Sequence, residues 1–217
     1  MVGMRSGKVG MAIIALVVIF LTTPHPQEAS AYSLSLAPEA IAEAQAYGAS
    51  RRTLSGELDE RPWTRWAGLT ESSTQGRILL EIVWVTPFLE LARARASLGR
   101  PLNDQEIKDI LEATSQRATV EVTVRVLRTF RPQDQLDARA VTMVVERQGG
   151  AIIRPTDITR SEPSRLTGPF LAYSGFSTML RSGFRYSDGL EPGESVAVVV
   201  NWGIHRILVP IELGLLR

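Results

Sequence analysis

The chain has 217 residues, 24 lysines plus arginines against 23 aspartates plus glutamates, and no cysteine. The missing thiols exclude disulfides, a thiolate nucleophile and cysteine-ligated metals, and the near-even charge argues against an electrostatic role on nucleic acid, which wants a basic excess. Two lysines, Lys8 and Lys108, leave nearly all cations to arginine, a bias that by itself implies no phosphate ligand.

The first 31 residues read as an address. Arg5 and Lys8 give a basic start, Val9 to Leu21 is uncharged and apolar, Pro24 and Pro26 break any helix, and Ala29, Ser30 and Ala31 supply a small-x-small cleavage site before Tyr32. This predicts a signal peptide over residues 1–31 and an extracytoplasmic protein. The alternative is an uncleaved anchor over residues 9–23, but that run is about 15 residues where a membrane span wants roughly 20. Removing the leader equalises acids and bases, and the remaining length can bury roughly 70% of its unfolded surface around one core.

Residues 32–76 are expected to hold a short helix and an irregular segment. The helix comes from SLAPEAIAEAQAYGA, Ser35 to Ala49, with Pro38 in the first turn, Ile41, Ala44 and Tyr47 on one face, and Gly48 as a C-terminal cap. Between Ser50 and Gly76 the chain turns polar and carries RPWTRWAGL, where Trp63 and Trp66 are flanked by Arg61 and Arg65. Trp63, Trp66 and Arg65 are the candidate ligand-binding residues, since indoles with guanidinium neighbours can stack on a sugar ring or grip a peptide. Burial against the body of the fold is the competing role for such large aromatics.

Residues 77–217 are expected to form a β-sandwich domain with a helical insert at 87–116. In RILLEIVWVTPFLELARARAS a single helix would put Pro87 in its interior, at a cost of roughly 3 kcal/mol. Dividing the stretch avoids this: Ile78 to Val85 is a strand, Thr86 an N-cap and Pro87 the first helical residue. That helix runs to about Leu98, with Phe88, Leu91 and Ala92 inward, Glu90, Arg93 and Arg95 outward, and Gly99 as the stop. Asn103 and Glu106 have capping-box spacing for a second helix, Asp104 to about Gln116, with Ile107, Ile110 and Leu111 on its face. The two are predicted to pair as a hairpin.

From Thr119 the period falls to 2, with Val120, Val122, Val124 and Val126 on one side. Val141 to Arg147 and Ala151 to Arg154 read as a hairpin about Gly149 and Gly150. Pro155 to Pro169 looks like a surface crossing, Leu171 to Tyr186 like strand, and ESVAVVVN with IHRILVPIEL like a hairpin turning at Asn201, Trp202 and Gly203. Pro210 places the last strand at an edge or a bulge.

Chemistry is sparse. His205 is the histidine beyond the leader, beside a turn, with no neighbouring nucleophile pattern. Asp188, Glu191 and Glu194 lack the order of a calcium loop and read as solvated loop charges. Glu81, inside an apolar strand, is the acid with unusual context, expected to face solvent or pair with an arginine. No cofactor or metal is implied.

The expected fold is α+β, mainly β: an antiparallel sandwich of six or seven strands, a helical hairpin between its first and second strands, and a short N-terminal helix outside. It resembles Ig-like sandwiches in pattern alone, because their cysteine–tryptophan–cysteine arrangement is missing. The expected role is an exported non-enzymatic binding or structural module of the cell envelope or extracellular space, with a protein or carbohydrate partner. Two alternatives stand beside it: a membrane-tethered accessory subunit, and a carbohydrate- or peptide-acting enzyme using carboxylates, which requires Trp63 and Trp66 to line one groove.

Overall fold

The computed structural model describes residues 36–71, 76–128, 140–166, 174–191, 193–202 and 205–216. The leader and the predicted turn residue Gly203 lie outside them. The described residues are mainly β, with every strand pair among them antiparallel and three α-helices. Among the described residues no helix is long and apolar enough to cross a membrane.

Local chemistry sets the helices. In α1, Pro38–Ser50, the proline takes the first turn, and Ala44 is buried while Ile41 and Tyr47 pack partly against the core. Gly48 is not its cap: the helix continues to Ser50, and Gly48 lies where α1 meets the backbone of Ala92. The proline divides the apolar stretch as expected. The strand β2 is Gly76–Val85, the Thr86 side chain accepts from the Leu89 N–H at 3.2 Å, and α2 spans Pro87–Leu98 before Gly99 at φ 70°.

The third helix, α3, spans Asp104–Ser115 and starts with a complete capping box. Asn103 Oδ1 accepts from the Glu106 N–H at 2.9 Å and Glu106 Oε2 accepts from the Asn103 N–H at 2.8 Å. Hydrogen bonds from the Arg100 guanidinium and the Asn103 N–H hold the Glu106 carboxyl down at about 2. A carboxylate depressed in this way supports folding above its ordinary range and loses that support as pH falls from about 4.5 through about 2. Carboxyl chemical shifts followed from pH 6 to pH 1.5 should therefore show Glu106 titrating well below the ordinary carboxylate range; a midpoint within that range would contradict this cap.

Two sheets carry the rest. The larger is six-stranded, in order β1-β2-β3-β8-β6 with β7 also on β8. Its strands are β1 (Thr64–Glu71), β2, β3 (Arg117–Arg128), β6 (Asp157–Arg160), β7 (Ser164–Leu166) and β8 (Ser174–Arg185). The smaller is four-stranded, in order β10-β9-β4-β5, from β4 (Val141–Arg147), β5 (Ile152–Ile153), β9 (Ser195–Trp202) and β10 (His205–Glu212). Pro210 is exposed on β10, an edge strand, where its missing N–H costs no ladder bond.

Register puts Ile78, Leu80, Ile82 and Trp84 of β2 beside Val126, Val124, Val122 and Val120 of β3. These side chains are buried, and they form one core with Val141, Met143 and Val145, Val196, Val198 and Val200, and Ile207, Val209 and Ile211 of the smaller sheet. At one side β10 lies against β1. At the other the chain itself steps from β5 to β6 across Pro155.

Several expectations change. There are ten strands among the described residues, not six or seven. The irregular segment before Gly76 contains β1, and the crossing after Pro155 contains β6 and β7. These are edge or near-edge strands with polar or exposed faces, so they lack the apolar alternation that reveals a strand. With β1 counted, the helices follow the second strand, and the main helical neighbour of α2 is α1. Arg93 is not outward: it is half-buried between two glutamates.

Candidate functional site

The three sequence candidates part company within four residues. A single 3-10 turn, Arg61–Trp63, ends where β1 begins at Thr64, so the backbone changes period between the two tryptophans. Trp63 turns into the core and is fully buried, stacked on Phe88 at 5.7 Å and edge-on to Tyr47 at 5.4 Å. Tyr47 in turn donates to the Asp59 carbonyl at 2.7 Å, which ties the 51–63 segment to α1. Arg61 leaves the cluster to pair with Asp59 at 2.7 Å.

Arg65 and Trp66 are successive residues of β1 and therefore point to opposite faces. Arg65 is on the core side, opposite Ile82, and donates to the Thr64 carbonyl at 3.0 Å and the Pro62 carbonyl at 3.3 Å. Burial lowers its pKa, with partial compensation from the Glu212 carboxylate. Trp66 is on the outer face, 56% exposed.

That outer face is half covered. The row Thr64, Val83, Glu121 and Arg181 runs under α2, where Arg93 bridges Glu60 at 2.6 Å and Glu121 at 2.8 Å, and Arg181 pairs with Glu90 at 2.8 Å. Burial opposes the Arg93 charge, but its hydrogen bonds to Glu60 and Glu121 outweigh this and hold the guanidinium above its usual range. Both guanidiniums of this network bridge two carboxylates each, so it is a clamp holding α2 on the sheet. Sequence reasoning missed it because its members are dispersed from residue 60 to residue 181.

The next row, Trp66, Glu81, Thr123 and Met179, is one set of cross-strand neighbours on β1, β2, β3 and β8. It is the open part: Met179 is also exposed. Beyond it come Gly68, Leu79, Arg125 and Ser177. The Trp66 indole reaches over β2 until the Arg125 guanidinium lies 5.7 Å from its ring centroid, and Arg125 pairs with Glu81 at 2.7 Å. Glu81, the acid singled out in the sequence, thus faces away from the core and is bound to an arginine. Arg125 escaped the sequence reading; its signal was only the polar phase of the β3 alternation.

The other candidates lie elsewhere. His205 is half-buried at the start of β10, its ring 6.0 Å from that of Trp202. Glu194 accepts from Arg147 Nε at 2.7 Å and from the Glu191 N–H at 3.4 Å. Among the described residues no group of three His, Cys, Asp or Glu is placed to hold a metal.

No family model matches the chain, and no curated protein matches it. The face around Trp66 must be read from its own geometry.

Proposed function

We propose that this protein is an exported, non-enzymatic binding module of the cell envelope or extracellular space, and that it meets its partner through the outer face of the larger sheet. The observation that carries the binding reading is Trp66: a large indole, 56% exposed, held on a regular strand lattice instead of on a loop. Rigid exposed aromatics lose little entropy on binding and serve as anchors. The leader composition supports export.

Two antiparallel sheets sharing one core support an Ig-like sandwich, with α2 and α3 as its insert. The carboxylate-enzyme alternative needed Trp63 and Trp66 in one groove; Trp63 is in the core and Glu81 is paired with Arg125. In native material the chain is expected outside the cytoplasm with Tyr32 as its first residue, read by fractionation and intact mass. A full-length chain in the cytoplasm would refute export, and a full-length chain that stays with membranes after a high-salt wash would favour the tethered subunit.

A further inference from the structure

The structure assigns Arg65 to guarding the open edge of the larger sheet against strand pairing with a second copy of this chain. β1 ends its sheet, with β2 on one side and no strand in the ladder on the other. β10 approaches β1, but it belongs to the smaller sheet and forms no ladder with it. An unpaired edge is a template for strand addition unless something blunts it.

Thr64 shows which backbone groups of β1 lie on the open side. Its N–H donates to the Arg61 carbonyl and its own carbonyl accepts from Arg65, so both groups are turned away from β2. By the alternation of an antiparallel pair, the N–H and C=O of Trp66 and Gly68 point to the open side as well, and those of Arg65 and Ala67 face β2. Two copies meeting along this edge across a two-fold axis pair even-numbered residues with even-numbered ones. The same groups then serve both partners.

Arg65 opposes that pairing in two ways. Its Nη1 donates to the Thr64 carbonyl at 3.0 Å and to the Pro62 carbonyl at 3.3 Å, where the chain enters β1. An incoming strand must displace a charged donor there. The second way is desolvation. The side chain is half-buried on the core side, in register with Ile82, and among the described residues it has no ion-pair partner; the Glu212 carboxylate of β10 acts on it from longer range. On an edge strand its route to water runs past the uncovered side of β1. A strand added on that side would cover the guanidinium and leave a charge buried without a partner. An apolar residue here could pack on Ile82 without that cost, so the arginine serves the edge and not the core.

Sedimentation velocity tests this on the exported protein and on Arg65→Val, Arg65→Thr, Arg65→Lys and the double variant Arg65→Val/Gly68→Pro, from about 1 to about 100 µM. Arg65→Val and Arg65→Thr should self-associate at least about tenfold more tightly than the parent, and Arg65→Lys should behave as the parent. Gly68→Pro removes an N–H on the open edge and none from the β1–β2 ladder, so in the double variant the association should be lost. Amide exchange at Trp66 and Gly68 should slow with protein concentration in Arg65→Val and not in the parent. Monomeric Arg65→Val and Arg65→Thr, association that survives Gly68→Pro, or a parent that associates as tightly as these variants would each overturn the proposal. None of these outcomes bears on export or on the outer face, because only the edge is probed.

Discussion

Replacing Trp63 with alanine is expected to lower unfolding stability by about 4 kcal/mol, the range for emptying a large buried aromatic. The side chain is fully buried and fills the space between Tyr47 of α1 and Phe88 of α2, so its loss opens a void that neither helix can close without leaving the sheet. Trp66→Ala is expected to cost less than about 1 kcal/mol, because an exposed ring gives up only its contact with Arg125 and some side-chain packing. Urea unfolding followed by circular dichroism measures both. Equal losses at the two positions would contradict their assignment to core and open face.

Gly48→Ala is expected to destabilise the protein by about 2 kcal/mol, against the trend for helices. Inside an unconstrained helix the same change would gain roughly 1 kcal/mol, since alanine loses less backbone entropy than glycine. Here a Cβ on residue 48 would come to 2.3 Å from the Ala92 carbonyl oxygen and 3.0 Å from its Cα. Those are backbone atoms of α2, so no side chain can rotate aside; α1 must shift, and the packing of Ala44 and Tyr47 shifts with it. A variant as stable as the parent would show that the helices approach less closely than described.

Glycine 48 also shows where sequence reading ends. Its place near the end of an alanine-rich helix suggests a cap, a local role, and the helix instead uses its missing side chain for a contact with a residue far along the chain. The same limit hid β1. Its residues alternate between a core side, Arg65 and Ala67, and an outer side, Trp66 and Gly68, neither of which looks apolar enough to announce a strand. Its pairing with β2 is visible only once β2 is in place.

The three residues that the sequence singles out for a site come to lie in different surroundings. Trp66 is exposed on the open face, but Trp63 and Arg65 were grouped with it by proximity along the chain, and proximity along the chain does not survive a change of backbone period. Arg125, which lies over the indole, is brought there by the β1-β2-β3 register.

The sequence by itself determined the features that depend on neighbours within about four residues. These are the Thr86–Pro87 corner, the Asn103–Glu106 capping box, the stop at Gly99, the valine alternation of β3 and the final hairpin. The tertiary structure alone decided which tryptophan is buried, which glutamates hold Arg93, and that Trp66, Glu81 and Arg125 meet on one face. Those outcomes follow from strand register and helix approach, which are set by the summed burial of distant side chains and leave no mark on any short stretch of sequence.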